Sequence, residues 1–508
     1  MTDSGASPII YRLTLLGRTP HRRDPALFLV GLDLGTSSTK CLILGPDGRV
    51  VGRSAVPVGC DLRPGGFADL DAEIWWESAR EAVRQALPAT AREMGRAAVS
   101  VSSQGLSFVL LDAEDRPLRA AISTLDTRAE SQAEALSERI SESDLFMLTG
   151  KRAAPYYLLP KLLWLRENEP ELLARASRLA FSMDYLAGRL LGEPAPTDHS
   201  LASGSALHDV RTLEWSKPLA QRFDLDLSIM PELAPAGKLA GALTETSADE
   251  FGLPRGTLLG VGGQDQKCAA LAAGLSQEVS TVSLGTAAAC EFISAEPVLD
   301  PHRSLPCFPY VRPGQWVLEG AIPAAGGSLR WLAQVVSPSD DADQVCSVLE
   351  QDATRADWES TPLFIPHLGG AGSPHWRRHA KGSFAELTLA TGRAELARSV
   401  LEGVCFELAA NVESARSLGL RPRALRAFGG GARSAFWLQL LADSLDLPVI
   451  RLHLGDAAAL GACLLAASSA GQSLPAFSQP PESSILTPTA AGVSRSRARR
   501  SRYLALTA

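Results

Sequence analysis

Two stretches of the chain, about 250 residues apart, share one pattern. GLDLGTSSTKCLIL (residues 31–44) and TVSLGTAAACEFI (residues 281–293) both read as an apolar strand, a Leu-Gly-Thr turn with small residues, and a second strand. A repeat of half the chain is too long for a solenoid, whose units have about 20–50 residues. It predicts a duplicated domain. The length of 508 residues agrees, because a single hydrophobic core stops growing at about 250–300 residues.

The sequence around the first repeat predicts an α/β domain. Pro46-Asp47-Gly48 is a turn sequence, so the strands on either side of it should form an antiparallel meander. Asp71 can cap a helix over 72–87, where apolar residues recur at helical spacing. The strands that we predict are Phe28–Leu34, Lys40–Leu44, Arg49–Val58 and Ala97–Ser102. A meander followed by alternating helix and strand is typical of an α/β fold.

The second half contains two further glycine turns. Residues 424–450 read as a strand, the turn Gly429-Gly430-Gly431 and a helix for which Ser434 is the expected N-cap. HLGDAAALGACLLAAS (residues 453–468) reads as a turn leading into an alanine-rich helix. We expect its small residues to pack closely, under a nucleotide. The tail over 485–494 is expected to be a loop.

Composition narrows the class of protein. A net charge of −7 argues against a nucleic-acid binder. The basic run from Arg495 to Arg502 is expected to be a solvated helix face. Eight widely spaced cysteines suit neither a disulfide framework nor a zinc site, which favours a cytoplasmic compartment. The apolar runs are too short to span a bilayer, and we expect no membrane partner. Residues 1–27 lack a signal-peptide pattern and are expected to be a disordered extension.

Phosphates need backbone N–H donors at close range, which glycine turns can supply. Most glycine-rich turns are only turns, so each candidate alone is a weak signal. The sequence lacks GxxxxGK[ST] and also lacks GxGxxG after a strand with an acidic residue further on. This argues against a P-loop protein and a dinucleotide-binding site. The candidate phosphate turns are Gly35-Thr36-Ser37-Ser38, Gly285-Thr286, Gly326-Gly327-Ser328 and Gly429-Gly430-Gly431.

The motifs occur in one order along the chain. They are DLGTSSTK, SSQG, LDTR, GGQDQ, SLGT, SFAELTLATGRAELARSVLEGVCFEL, GGGARSAFWLQLLAD and DAAALGA. In this order the sequence resembles the FGGY carbohydrate kinase family, with xylulokinase-like and glycerol kinase-like members, of the actin-like ATPase superfamily. The resemblance implies two actin-like (ribonuclease H-like) α/β domains, over 28–272 and 273–508, with the active site in the cleft between them. The sugar would contact mainly the first domain and the adenine the second.

The resemblance also implies roles for individual residues. Asp265 matches the catalytic base, which takes a proton from the acceptor hydroxyl of the sugar. Asp33 matches a carboxylate associated with Mg²⁺, through water. The residues implied in ATP binding are Gly35, Thr36, Ser37, Ser38, Lys40, Gly285, Thr286, Gly326, Arg330, Gly430, Gly431 and Ser434. Arg330 could equally be a surface charge. The alternative for Asp265 is a helix N-cap, and the ordered motifs favour the base role over it.

The sugar is less well specified. Gln104, Asp126, Arg128, Asp265 and Gln266 are the polar candidates for substrate binding, although Asp126 and Arg128 could equally be a structural pair. Gln104 is followed by Gly105-Leu106, where the glycerol branch has Arg-Glu and the xylulose branch Met-His. Many members also have Trp where this chain has Thr124. A pentulose such as xylulose is the leading interpretation, with tetruloses and sugar alcohols still open.

Three other functions are compatible with the superfamily. A chaperone-type ATPase would need a further peptide-binding domain, and no residues are left for one. A non-catalytic sugar sensor would be expected to lose Asp265 or the phosphate turns, which are retained. An actin-like polymer needs self-complementary surfaces that a sequence does not reveal. A homodimer is compatible with such families.

Overall fold

The computed structural model describes residues 27–88, 95–338, 341–472 and 484–507. The elements of the first half are β1 (Leu27–Leu34), β2 (Ser38–Leu44), β3 (Val50–Pro57), β4 (Asp61–Arg63), β5 (Phe67–Leu70), α1 (Glu73–Ala86), β6 (Arg96–Ser103), β7 (Phe108–Leu111), β8 (Ala121–Ile122), α2 (Glu130–Arg139), α3 (Glu142–Thr149), α4 (Leu158–Asn168), α5 (Pro170–Arg175), β9 (Arg178–Phe181), α6 (Ser182–Leu191), β10 (Thr197–Asp198), α7 (His199–Ser203), β11 (His208–Asp209), β12 (Glu214–Trp215), α8 (Lys217–Phe223), β13 (Leu233–Ala234), β14 (Leu239–Ala242), α9 (Glu245–Phe251), β15 (Leu258–Gln264) and α10 (Asp265–Ala272).

The second half begins after α10. Its elements are β16 (Val279–Leu284), β17 (Ala288–Ser294), β18 (Cys307–Pro309), β19 (Trp316–Ile322), α11 (Gly326–Val336), α12 (Ala342–Ala353), β20 (Leu363–Ile365), β21 (Ser383–Ala385), α13 (Arg393–Ser417), β22 (Ala424–Phe428), α14 (Ala435–Leu445), β23 (Val449–Arg451), α15 (Ala457–Ser469), β24 (Ser484–Leu486) and α16 (Ala490–Thr507). The predicted extension 1–27 lies outside the described residues except for Leu27, which begins β1.

The two large sheets have the same arrangement of strands. The first has the order β14-β15-β6-β1-β2-β3, with β1 to β3 antiparallel and β6 parallel to both β1 and β15. The second has the order β18-β19-β17-β16-β22-β23-β24, with β16, β17 and β19 antiparallel and β22 parallel to β16 and β23. The two Leu-Gly-Thr turns therefore lie at equivalent corners, joining β1 to β2 and β16 to β17. This confirms the predicted α/β class and the meander.

Most local predictions agree with the structure. Helix α1 covers nearly the predicted span, and Asp71 accepts the N–H of Glu73 at 3.0 Å. Ser434 caps α14 by accepting the N–H of Trp437 at 3.2 Å.

All eight cysteines are free. Among the described helices, none combines the length and apolarity that crossing a bilayer requires.

The alanine-rich helix α15 packs against α10 and the first-half sheet. Its small residues pack closely, as predicted, and its position under a nucleotide stays a prediction. A Cβ on Gly461 would lie 2.1 Å from the carbonyl oxygen of Cys268, and a Cβ on Gly31 would lie 1.9 Å from that of Ala459. The thiol of Cys463 also donates to the carbonyl of Leu42 at 3.4 Å. The small side chains therefore let the helix backbone approach the strands that carry the first phosphate turn.

The C-terminal segment corrects two predictions. The predicted loop contains β24, which pairs with β23, and the start of α16. The basic run on α16 is also not wholly solvated, because Arg499 is buried. Its guanidinium donates to Glu402 at 2.7 Å and to the carbonyls of Trp358, Thr361 and Pro362 at 2.9–3.1 Å. The serine- and arginine-rich run over 494–502 gives no sign that one arginine faces the core.

Candidate active site

Three parallel strands end side by side in the first half. Leu34 of β1 is opposite Ser103 of β6, which is opposite Gln264 of β15. The next residues along the chain are Gly35, Gln104 and Asp265. The register therefore brings the first phosphate turn, a sugar-binding candidate and the predicted base to one edge of the sheet. The carboxyl edge of an open α/β sheet is the usual place for a ligand site.

Asp265 is the first residue of α10. Its Oδ1 accepts the backbone N–H of Gln266 at 2.7 Å and a side-chain N–H of Gln264. The N-cap of the helix is Gln264, whose side chain accepts the N–H of Lys267. Asp265 is therefore not the N-cap, which removes the alternative that competed with a chemical role. Burial, with a smaller contribution from the charge of Asp33, raises the pKa of Asp265 to about 7. A carboxylate with such a pKa is suited to take a proton near neutral pH.

Asp33 lies at the end of β1, just before the first phosphate turn. Its carboxylate is buried and accepts the hydroxyl of Ser102 at 3.2 Å. Burial raises the pKa of Asp33 to about 6, against the opposing effect of Lys40. Thr36 and Ser37 beyond it are exposed at the turn. Asp33 is thus a hard oxygen ligand close to exposed donors for phosphate.

Lys40 makes an ion pair that the sequence analysis missed. Its ammonium lies 3.6 Å from Asp456, which also pairs with Arg53 at 3.2 Å. Asp456 is the N-cap of α15 and adopts a left-handed backbone conformation. The DAAALGA motif therefore supplies a carboxylate next to the first phosphate turn. An aspartate before an alanine-rich helix was the available signal, but only the fold shows which cations it meets.

Two glycine turns of the second half, Gly285-Thr286 and Gly326-Gly327, are joined by backbone hydrogen bonds. The N–H of Gly326 donates to the carbonyl of Gly285 at 2.9 Å, and the N–H of Gly327 donates to that of Thr286 at 3.0 Å. A Cβ on Gly326 would lie only 2.6 Å from the Gly285 oxygen. These contacts hold the Gly285-Thr286 turn, which is exposed, against the start of α11. The sequence predicted both turns but not their contact.

A cleft of about 740 Å³ adjoins these turns. Among the residues lining it are Gly285, Thr286, Gly326, Arg330, Gly430 and Gly431, all predicted to bind ATP. The exposed Arg330 guanidinium is paired with Asp343 of α12. Ser434, the remaining second-half candidate, caps α14 at the end of this cleft. Six of the seven second-half ATP candidates thus line one cavity large enough for a nucleotide.

Gln104 has a buried side chain, and its Oε1 has no hydrogen-bond partner among the described residues. An unpaired buried acceptor costs free energy unless a ligand or water satisfies it. Gln266 differs, because its Oε1 accepts the hydroxyl of Ser283 in β16 at 3.2 Å. Of these two candidates, Gln104 has the acceptor free for a sugar hydroxyl.

Asp126 and Arg128 form a structural pair, which was one of the two alternatives for these residues. Asp126 Oδ2 accepts the N–H of Ala68 at 2.6 Å and Arg128 Nε at 2.9 Å. The guanidinium also pairs with Asp69 and lies 4.4 Å from the ring centroid of Phe67. Both side chains are buried. These bonds fix the loop after β8 to β5, and direct sugar binding by the pair remains a prediction.

A buried cluster near Asp265 was absent from the predictions. Lys267 donates to Glu291 of β17 at 2.8 Å and to Glu319 of β19 at 2.6 Å. Its ammonium also lies 4.1 Å from the ring centroid of Phe308. The available signal was a lysine on the buried side of an otherwise apolar helix, which requires a partner.

Comparison with known proteins agrees with this geometry. The models of the N-terminal and C-terminal domains of the FGGY family of carbohydrate kinases match residues 28–272 and 280–470. Xylulose kinase of Escherichia coli is 32% identical over 416 residues, which cover 82% of this chain and 84% of that protein. A glycerol kinase of Rhodospirillum centenum is 30% identical, covering 87% of this chain and 89% of its own.

Solved structures give the same result. A xylulose kinase of Brucella ovis superposes with a TM-score of 0.87 at 28% identity, covering 94% of this chain and 98% of its own. A gluconate kinase of Lactobacillus acidophilus superposes with a TM-score of 0.87 at 25% identity, covering 95% and 97%. The fold is therefore the two-domain actin-like fold. The chain belongs to the FGGY family of carbohydrate kinases, phosphotransferases that use ATP to phosphorylate an alcohol group of a small sugar or polyol.

Proposed function

We propose that this kinase phosphorylates a pentulose, with xylulose the leading candidate, and that Asp265 is its catalytic base. The observation that carries the role of Asp265 is the alignment of Gly35, Gln104 and Asp265 at the ends of three neighbouring strands. It provides a phosphate turn, a free acceptor for a hydroxyl and a base beside one another. The second phosphate turn, Gly285-Thr286, approaches from the other half of the molecule.

Phosphoryl transfer requires mainly positioning and charge stabilisation. Asp265 would accept the proton of the attacking hydroxyl while that oxygen bonds to the γ-phosphorus. The bond from phosphorus to the β,γ-bridging oxygen breaks, and ADP leaves with its electron pair. The turns at Gly35 and Gly285 would hold the phosphates from both sides through backbone N–H groups. Closure of the two halves would exclude water and so limit idle hydrolysis of ATP.

The residues around Asp33 fit a magnesium ion. Its buried carboxylate has one protein hydrogen bond, to Ser102, and lies beside the first phosphate turn. Mg²⁺ usually takes one or two carboxylates together with waters and phosphate oxygens. Asp33 would hold the ion through water. When bound, Mg²⁺ neutralises charge on the phosphates of ATP.

Support for a pentulose comes from relatives and not from the pocket. Xylulose kinases of five bacterial genera are 28–32% identical to this chain. Glycerol and gluconate kinases are also similar, and Gly105-Leu106 replaces both branch-specific pairs described above. The proposal further includes domains over 28–272 and 273–508, a cytoplasmic location and a homodimer.

ADP release with Mg-ATP tests the proposal directly. The acceptors are D-xylulose, L-xylulose, D- and L-ribulose, a tetrulose, erythritol, ribitol, glycerol and gluconate, each beside a control without acceptor. We expect a pentulose to give the highest kcat/KM, and D265N to abolish the acceptor-dependent release. A preference for glycerol or gluconate would contradict the substrate proposal alone. If the rate of ADP release were the same with and without every acceptor and persisted in D265N, the result would contradict the kinase mechanism and favour a chaperone-type ATPase.

A further inference from the structure

Lys267 is fully buried two residues after Asp265, and no step described above uses it. Its two carboxylate partners, Glu291 and Glu319, are directly opposite each other on β17 and β19. Helix α10, which begins with the catalytic carboxylate, is therefore attached to the second-half sheet by a charged group. The other buried residues of α10 are small or apolar, and they share clusters with α15 and with Ile293 and Val317 of the second-half sheet.

Gln266 makes a second connection of the same kind. Its Oε1 accepts the hydroxyl of Ser283, and Ser283 Oγ accepts the N–H of Ala289 at 3.3 Å. Ser283 and Ala289 are paired residues at the end of the β16–β17 hairpin. The turn of this hairpin is Gly285-Thr286. Both residues that follow Asp265 are therefore bonded to the strands that hold the second phosphate turn.

Stability alone does not explain the buried lysine. A buried ion pair adds little net stability, because taking the charges out of water offsets their attraction, and apolar side chains of similar volume often stabilise as well. Burial and the neighbouring Glu319 raise the pKa of Glu291 against the opposing effect of Lys267, so the cluster does not hold two fully ionised carboxylates without cost. The bonds from Lys267 to Glu291 and Glu319 do supply a directional link between α10 and the second-half sheet.

We propose that Lys267, with Glu291 and Glu319, is a positioning group that sets the distance between the carboxylate of Asp265 and the Gly285-Thr286 turn, with Gln266–Ser283 as the second link. This inference rests on the proposed role of Asp265. A catalytic group that is misplaced by about 1 Å can lower the rate about 100-fold. Loss of the link should therefore lower kcat while leaving both KM values nearly unchanged.

The test compares K267M/E319Q with K151M. The double variant removes Lys267 and Glu319 together. Glu291 remains, and its raised pKa lets it stay protonated when the ammonium is gone. Lys151 is the matched control, because it is equally buried, lies over the same Phe308 ring at 3.3 Å and donates to the carbonyl of Cys307, but has no bond to α10. Melting temperature, kcat and the KM values for ATP and sugar are measured for each variant.

We expect K267M/E319Q to lose at least 30-fold in kcat with both KM values within threefold of wild type. K151M should lose less than threefold in kcat at a similar melting temperature. A kcat of the double variant within threefold of that of K151M would overturn the inference, as would higher KM values at unchanged kcat.

S283A supplies a test that leaves no buried charge unpaired. It removes the hydroxyl that joins Gln266 to the hairpin, and we expect kcat to fall about 3- to 10-fold with both KM values unchanged. If the double variant does not fold, the kcat of S283A becomes the test. A wild-type kcat in S283A would overturn the inference. Wild-type protein without acceptor-dependent ADP release would instead contradict the proposed function, before any variant is made.

Discussion

Asp33 and Asp265 lie at the carboxyl ends of two strands that flank the same central strand, β6, and the charge of Asp33 contributes to the raised pKa of Asp265. Two carboxyl groups that interact in this way resist ionising together. In the proposed mechanism, Asp265 would take the proton of the acceptor hydroxyl and Asp33 would hold Mg²⁺ near the phosphates. The two roles follow from their surroundings.

The pH dependence of the free enzyme should reflect this pair. With the pKa of Asp265 at about 7, the base is protonated below that pH and cannot accept a proton. We expect log kcat/KM for the sugar to fall with a slope of about 1 as the pH drops below 7. D33N should shift this acid limb to lower pH, because it removes a charge that raises the Asp265 pKa. A limb that is unchanged in D33N would contradict the coupling.

D265N should stabilise the fold while it removes activity. Because the folded state raises the pKa of Asp265, it binds this proton more tightly than the unfolded chain does. The ionised carboxylate therefore lowers stability progressively from about pH 4 to 7, and fully above that range. We expect D265N to melt about 2–4 °C above wild type at pH 8, with a smaller difference at pH 5. Equal melting temperatures at pH 8 would argue against a raised pKa of Asp265 in the folded state.

Gly326 should tolerate no side chain. An alanine Cβ would lie 2.6 Å from the carbonyl oxygen of Gly285, so the second phosphate turn would have to move. We expect G326A to raise the KM for ATP at least 10-fold, measured at saturating sugar. G59A is the control, because Gly59 is exposed and its Cβ would meet nothing within 4 Å. Equal KM values for ATP in the two variants would contradict the assignment of this turn to the nucleotide.

Arg499 should be essential for stability rather than for catalysis. R499M would leave the Glu402 carboxylate with only Arg398 and would leave three carbonyls without this donor. We expect it to lower the free energy of unfolding by about 3–5 kcal/mol, measured by urea denaturation. R497A, which changes an exposed arginine of the same helix, should cost less than about 0.5 kcal/mol. If both variants lost a similar amount of unfolding free energy, the positive charge of α16 as a whole, and not the bonds of Arg499, would stabilise the helix.

The sequence was sufficient for features that depend on near neighbours. Both hairpins, the turn glycines, the Ser434 cap and the α1 span follow from local patterns, and the order of motifs supplied the family and Asp265. Pairs far apart in the sequence were not predictable. Lys267 meets Glu319 across 52 residues, Arg499 meets Glu402 across 97, and Cys463 meets Leu42 across 421. A single sequence indicates that a buried charge needs a partner, but only the packing selects which one.

The candidate sugar-binding residues also depend on partners that the sequence does not reveal. Asp126 and Arg128 were equally compatible with sugar binding and with a structural pair, because a polar loop motif does not reveal what lies against it. Their bonds to Ala68 and Asp69 depend on how β5 and β8 pair. Gln104 was a polar candidate from its motif alone, and its burial and unpaired Oε1 became visible only in the described part of the structure.

The central claim is that Asp265 takes the proton from the attacking hydroxyl. Its most direct test is the single-turnover rate of phosphoryl transfer from ATP to the preferred sugar in wild type and D265N, with ATP affinity measured on the same samples. We expect D265N to bind ATP within threefold of wild type and to transfer phosphate at least 1000-fold more slowly. A D265N rate within about 10-fold of wild type, at equal ATP affinity, would contradict the assignment.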